Sequence, residues 1–161
     1  QFSMKMRLRA LFLICLFCFF SIADAIATDN ELCEQKADST VYVRRGQRIV
    51  GEFSVVLATS PAECRKGLMY CHALAAGSGM LFLYSKAAKR TFWMKNTFID
   101  LAIIFISEDS RILAIEHGRA GSLKRITSPF RSRMVLEINY NESRHLAIGD
   151  YVHFQQQKRS P

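Results

Sequence analysis

The chain has 161 residues, half of them apolar, so it holds enough hydrophobic material for one domain core and is not a disordered polar chain. Its formal charge is +8, and the basic residues stand in several short runs along the sequence. This dispersed pattern is typical of a solvated basic surface. The alternative is attraction to acidic polymers or to an anionic membrane.

Residues 1–27 have the pattern of a secretory signal peptide. Three basic residues precede an apolar run over residues 11–20, and small residues suited to cleavage follow it. The run is shorter than the ~20 residues of a spanning helix, so cleavage is favoured over retention as a membrane anchor. Translation would start at Met4 or Met6. We therefore expect a periplasmic or extracellular protein without a stable membrane span, and a nucleic-acid partner fits poorly with export.

Three cysteines, Cys33, Cys64 and Cys71, follow the predicted cleavage site. Disulfides persist in the oxidising compartments that receive exported proteins, and an odd number of cysteines allows at most one bridge within the chain. Because Cys33 stands in an N-terminal arm and has the longer reach, we expect a bridge from Cys33 to Cys64 or to Cys71. The cysteine and histidine spacing matches no zinc-site pattern, and we predict no metal site and no cofactor.

The mature chain divides into a mobile polar arm at residues 28–38, a β-rich domain at 39–155 and a polar tail at 156–161. Apolar runs and period-two alternation predict strands in the domain at residues 40–43, 49–58, 80–83, 91–95, 100–107, 111–117, 134–138 and 151–155.

Two short helices interrupt the predicted strands. Ser60 and Glu63 form a capping box around Pro61, and Gly67 supplies a stop, so the sequence predicts a helix over residues 61–66. A second helical stretch is predicted at residues 141–147. Short strands with brief helices predict a mainly β fold, either a β-sandwich or a partly closed antiparallel barrel.

Three strings carry a resemblance to a known family. They are GLMY at residues 67–70, GMLF at 79–82 and FWMKNT at 92–97. With them the chain resembles the DUF192 (UPF0127) family of uncharacterised, often exported proteins. The resemblance implies a β-sandwich-like domain and export, and it implies no reaction.

The chain departs from the family pattern at two positions that bear on a site. Cys71 stands where the family usually has arginine, and Ala102 stands where it usually has aspartate. The joint loss is consistent with a paired structural role for those two family residues.

The FWMKNT string supplies the first candidate binding residues: Trp93, Lys95, Asn96 and Thr97. In a strand, Trp93 and Lys95 point to one side, and an indole beside an ammonium and an amide suits a small polar ligand such as a sugar or a peptide. The alternative is that Trp93 belongs to the core and that Asn96 and Thr97 only form a turn.

Glu137 is the second candidate, because it stands among apolar residues of a predicted strand. A carboxylate there is exposed by alternation, paired with a cation such as Lys95, or shifted in pKa. A buried Glu137 would serve as a ligand anchor or as a general base.

Two weaker patterns concern sulfur. Met69, Met80, Met94 and Met134 would together suit Cu(I), although methionine more often fills a core. Cys71 beside His72 would form a nucleophilic pair only if the two side chains faced each other.

The function hypothesis from sequence is a non-enzymatic exported binding or envelope-associated module, with no catalytic residue assigned. Its partner would be a small polar ligand or an envelope component. The first alternative is a hydrolase or transferase that uses Glu137 and Lys95, and the second is a periplasmic copper-handling protein.

Overall fold

The computed structural model describes Cys33 and residues 36–157. The predicted signal peptide, most of the predicted arm and the end of the predicted tail lie outside the described residues. Within the described part, no helix is long and apolar enough to cross a membrane.

The mainly β class is confirmed. The strands over residues 36–157 are β1 (Ser39–Arg45), β2 (Arg48–Ala58), β3 (Ser78–Ala88), β4 (Thr91–Phe92), β5 (Leu101–Ile106), β6 (Ile112–Gly118), β7 (Ile126–Thr127), β8 (Ser132–Asn139) and β9 (Tyr151–Gln156). Two short helices accompany them, α1 (Pro61–Lys66) and a 3-10 helix (Tyr140–His145).

Seven strands form one sheet in the order β6-β5-β8-β3-β2-β1-β9, and β4 pairs with β7 alone in a second, two-stranded sheet. The large sheet is mixed, because β2 and β3 run parallel while the other pairs run antiparallel. A parallel pair needs a crossover connection, and here the crossover carries α1. The predicted capping box is present in α1, and Gly67 follows it with φ 49°.

The two-stranded sheet corrects two predictions from sequence. The strand predicted at residues 91–95 ends at Phe92, because the chain turns there and Asn96 adopts a left-handed φ of 58°. The predicted loop 118–131 contains β7, which is too short to show a period and forms because β4 pairs with it.

The large sheet curls until its edge strands approach at one end. A single bridge joins Arg111 to Tyr151 there, so over the described residues the sheet is partly closed and is not a complete barrel. The side chain of Arg45 donates two hydrogen bonds to Asp150 beside this junction, at 2.8 and 2.9 Å. These bonds hold the pKa of Asp150 below its ordinary value.

Side chains on the two faces of the sheet form two cores. The inner core receives residues from all seven strands, such as Val41, Leu136 and Val152. The outer core lies on the opposite face and is completed by residues that follow α1 and β4, among them Leu68 and Met94. Strand β8 is buried on both faces of the sheet. Its alternating side chains therefore enter the inner core or the outer core, and neither set faces solvent.

Gly79 provides a test of how closely β3 and β8 pack. A Cβ atom at this position would collide with the backbone carbonyl oxygen of Glu137 and lie 2.8 Å from Ile138 Cγ2. We expect Gly79→Ala to lower the free energy of unfolding by about 1–3 kcal/mol, as overpacking does when backbone must move.

The matched control is Gly51→Ala, whose Cβ would meet only the ends of the Phe53 and Leu146 side chains. Urea unfolding of both variants measures the difference. Equal losses of stability in the two variants would contradict the close approach of β3 and β8.

Candidate functional site

Glu137 is a buried carboxyl at the centre of the large sheet. It lies on β8, directly opposite Met80 of β3 and Ile103 of β5, so both cross-strand neighbours are apolar. Only 5% of the residue is exposed. The interpretation of Glu137 as a solvent-side residue is therefore wrong, because its face of the sheet is covered by the outer core.

Burial raises the pKa of Glu137 to about 8. Desolvation disfavours the charged carboxylate, and no opposing cation offsets it. Among the described residues, no Lys, Arg or His nitrogen lies within 4 Å of the carboxylate, and neither a charge nor a hydrogen bond contributes to its pKa shift. Lys95 therefore does not neutralise Glu137, and the predicted ion pair is wrong.

A cleft of about 420 Å³ reaches Glu137 from the surface. Its walls come from α1 and the segment that follows it, from β3, from β4 with the turn after it, and from the start of β5. The residues on these walls are Cys64, Arg65, Lys66, Gly67, Leu68, Met69, Phe82, Tyr84, Thr91, Phe92, Trp93, Met94, Thr97 and Leu101.

Trp93 and Thr97 line the same cleft as Glu137, so the structure brings these three predicted residues together. Trp93 is 48% exposed, which places its indole at the mouth and excludes it from the core. Thr97 is buried. The mouth thus offers a partly open aromatic ring, and the interior offers a carboxyl.

Lys95 and Asn96 do not line this cleft. The Lys95 ammonium lies 5.3 Å from the centre of the Trp93 ring, at the surface. Asn96 holds the turn in shape, because its side-chain amide donates to the Tyr70 hydroxyl at 3.1 Å and its carbonyl accepts from the Tyr70 N–H. Asn96 therefore acts locally as a structural residue.

Gly67 leaves the space in which the cleft meets Glu137. Its φ of 49° favours glycine, and a Cβ atom there would lie 3.3 Å from Phe82 Cζ and 4.0 Å from a Glu137 carboxylate oxygen. The same glycine ends α1 through a hydrogen bond from its N–H to the Glu63 carbonyl. One residue thus stops the helix and opens the path to the carboxyl.

Two further residues line the cleft: Tyr84, which the sequence hypothesis does not name, and Cys64, which it names only as a possible disulfide partner of Cys33. Burial raises the pKa of both groups, and the Cys64 thiol donates a hydrogen bond to the Ala58 carbonyl at 3.6 Å. The guanidinium of Arg90 packs over the Tyr84 ring at 3.7 Å. Period two in β3 could have identified Tyr84, since Met80, Phe82 and Tyr84 alternate along one face.

The structure joins Cys33 to Cys71, with 5.4 Å between their Cα atoms, and leaves Cys64 as a free thiol. Because Cys71 is bonded and buried, the Cys71–His72 nucleophile is wrong. The His72 ring instead stacks on Phe98 at 4.4 Å.

The four methionines do not form one cluster. Met80 and Met94 belong to the outer core and Met134 belongs to the inner core. The Met94 sulfur packs so close to Gly118 that a Cβ there would lie 2.6 Å away. These positions are those of core-filling methionines and do not converge on one metal ion.

The DUF192 family model, described as an uncharacterized ACR, matches residues 41–154 of the chain. The chain belongs to the DUF192 family. No curated protein matches the sequence. Solved structures similar to this DUF192 chain include a protein of unknown function from Novosphingobium aromaticivorans, which is 32% identical with a TM-score of 0.67. That match covers 71% of this chain and 83% of the Novosphingobium chain.

A second similar structure is a putative transcription regulator from Sinorhizobium meliloti, 31% identical with a TM-score of 0.69. The match covers 74% of this chain and 95% of the Sinorhizobium chain. The relatives therefore share the DUF192 fold with this chain.

The two departures from the family pattern lie on different faces of the sheet. Cys71 is in the outer core and is held by the disulfide, whereas Ala102 is in the inner core. The structure gives no support to a direct pairing between these two positions.

The raised pKa of Glu137 predicts a specific dependence of stability on pH. The unfolded carboxyl releases its proton near its ordinary pKa of 4.5, whereas the folded carboxyl keeps it up to about pH 8. Between these values the folded state binds more protons, so the free energy of unfolding falls as pH rises, by about 1.4 kcal/mol per pH unit for this group.

Glu137→Gln removes this contribution. We expect the stability advantage of Glu137→Gln over the wild type to grow with that slope between about pH 5 and 7.5 in urea unfolding experiments. Glu116→Gln, at an exposed position on β6, is the matched control. Parallel pH profiles for Glu137→Gln and the wild type would contradict the burial of an unpaired carboxyl.

Proposed function

We propose that this DUF192 domain is an exported, non-enzymatic binding protein that holds a small neutral polar ligand in the Glu137 cleft. The ligand has an apolar or planar body and a hydroxyl or amide group that reaches Glu137. Simple sugars and short peptides belong to this class.

The observation that carries the proposal is the unpaired Glu137 carboxyl at the inner end of the cleft. The carboxyl has no protein partner and faces the cleft, so a ligand there can form hydrogen bonds that the protein itself does not supply. With a pKa near 8, the carboxyl is mostly protonated at neutral pH. A protonated carboxyl both donates and accepts hydrogen bonds, as hydroxyl and amide groups require.

The cleft walls fit the rest of such a ligand. Phe82, Phe92 and Leu101 line the interior, and the half-exposed Trp93 ring stands at the mouth. Aromatic walls with a few inward polar groups are the usual composition of small-molecule sites. An indole at the mouth suits stacking on a sugar ring or a peptide plane.

The protonation states favour binding over catalysis. Burial raises the pKa of Glu137, Cys64 and Tyr84, so at neutral pH all three are predominantly protonated. They offer hydrogen-bond donors, and none of them is predominantly a carboxylate, thiolate or phenolate at neutral pH. Lys95, which the enzyme hypothesis requires, does not line the cleft.

Export is supported by the sequence pattern of residues 1–27 and by the Cys33–Cys71 disulfide. A disulfide that ties the arm to the outer core fits an oxidising compartment. Ligand capture would then take place in the periplasm or outside the cell.

The test is a binding experiment with two substitutions of Glu137. Neutral probes, namely monosaccharides and N-acetylated dipeptide amides, are titrated into the isotope-labelled protein while the amide signals of Gly67 and Met69 and the Trp93 indole signal are followed by NMR. For a probe that binds, Glu137→Gln should keep the affinity within a few-fold, because the amide also donates and accepts. Glu137→Leu should weaken it by about tenfold or more.

Glu116→Leu provides the control for removal of a surface carboxylate. Binding that is insensitive to Glu137→Leu, or the absence of any shift at the cleft with the whole probe set, would overturn the proposal. Loss of probe binding in a folded Glu137→Gln variant would also overturn it, because the amide offers the same donor and acceptor groups as the neutral carboxyl.

A further inference from the structure

The positive charge of the folded domain is concentrated in two segments, residues 86–98 and 119–131. Residues 36–157 contain 17 Lys and Arg against 10 Asp and Glu. The two segments hold eight of these cations and none of the carboxylates. The rest of the described chain therefore carries nine cations against ten carboxylates, which is close to neutral. The basic residues of the described chain are therefore not evenly distributed, and their excess over carboxylates lies in these two segments.

The two segments run side by side along their length. At one end the Arg131 guanidinium donates to the Ala87 carbonyl, and in the middle β4 pairs with β7. At the other end the Met94 N–H donates to the Ser122 carbonyl at 3.0 Å. We call residues 86–98 and 119–131 together the basic ribbon. The ribbon begins at the end of β3, and its own two strands, β4 and β7, pair with each other outside the large sheet.

Large apolar side chains are exposed along the same ribbon. Leu123 is 68% exposed, Phe130 58%, Phe98 49% and Trp93 48%. Leu123 stands beside Lys124 and Arg125, and Arg125 shares a surface depression with Trp93. One carboxylate, that of Asp100, lies at the edge of the ribbon, where it accepts a hydrogen bond from the Ala120 N–H at 2.8 Å. Exposed apolar groups among a majority of cations are the composition of a surface that meets an anionic and partly apolar partner.

We propose that the basic ribbon docks on a bilayer that contains anionic phospholipid. Lys and Arg would contact the lipid phosphates, while Leu123 and Trp93 would enter the headgroup region. Leu123 favours a membrane over a nucleic acid, since an aliphatic side chain neither stacks on bases nor pairs with phosphates. This docking does not depend on what the Glu137 cleft binds.

The test measures co-sedimentation with vesicles. The full folded domain is mixed with phosphatidylcholine vesicles that contain about 30% phosphatidylglycerol, and with pure phosphatidylcholine vesicles, at physiological salt. We expect binding to the anionic vesicles alone. Trp93 is the only tryptophan in the chain, so a blue shift of its fluorescence reports entry of the ribbon into the headgroup region.

Three variants separate the contributions. Lys124→Glu/Arg125→Glu should weaken vesicle binding by at least about 25-fold, since each cation near the surface contributes roughly fivefold. Leu123→Ser should reduce both the binding and the blue shift. Arg44→Glu/Arg48→Glu, which reverses two exposed cations of the β1–β2 hairpin outside the ribbon, should have a much smaller effect.

The proposal fails if the folded wild-type protein does not bind anionic vesicles, or if the hairpin variant loses as much binding as the ribbon variant. A nucleic acid would be the better partner if a DNA or RNA oligonucleotide binds more tightly than the vesicles and Leu123→Ser does not change that binding. This result would also overturn the proposal. Glu137→Leu is expected to bind vesicles like the wild type, so failure at the ribbon and failure at the cleft are distinguishable.

Discussion

The desolvation of Glu137 is the constraint on which the rest of the site depends. The carboxyl lies in the middle of a sheet between Met80 and Ile103, and burial favours its neutral form. The carboxyl faces the cleft and has no cation beside it. Gly67 leaves room beside the carboxylate, and Gly79 lets β3 lie close to the backbone of Glu137 itself. A cost of this kind is what a binding site can recover when its ligand arrives.

The segment after β4 connects the cleft to the surface. Met94 is anchored in the outer core, Thr97 lines the interior and Trp93 stands at the mouth. The same segment is one half of the basic ribbon, so the cleft opens where the positive charge and the exposed apolar side chains are concentrated. In this account the FWMKNT string has two roles, since it shapes the cleft and presents the docking surface.

Sequence reasoning predicted the seven strands of the large sheet and the candidate Glu137, because both depend on local pattern. Alternation identifies a half-buried strand, and a carboxylate among apolar residues is conspicuous. It was wrong about Lys95, because β4 ends at Phe92 and the strand alternation that would place Lys95 on the side of Trp93 does not continue into the turn. The cleft positions of Cys64 and Tyr84 depend on contacts between elements that are distant in the sequence, and so does the pairing of the two basic segments. A pattern within one short segment cannot predict such contacts. The parallel β2–β3 pair was missed for the same reason.

The most direct measurement is the pKa of Glu137 itself, from a carbon-detected NMR titration of its side-chain carboxyl in the folded protein. Burial without a partner predicts a value near 8. A value near the ordinary 4.5 would mean that the carboxyl is solvated or paired, and would contradict the neutral carboxyl at the centre of the proposed site.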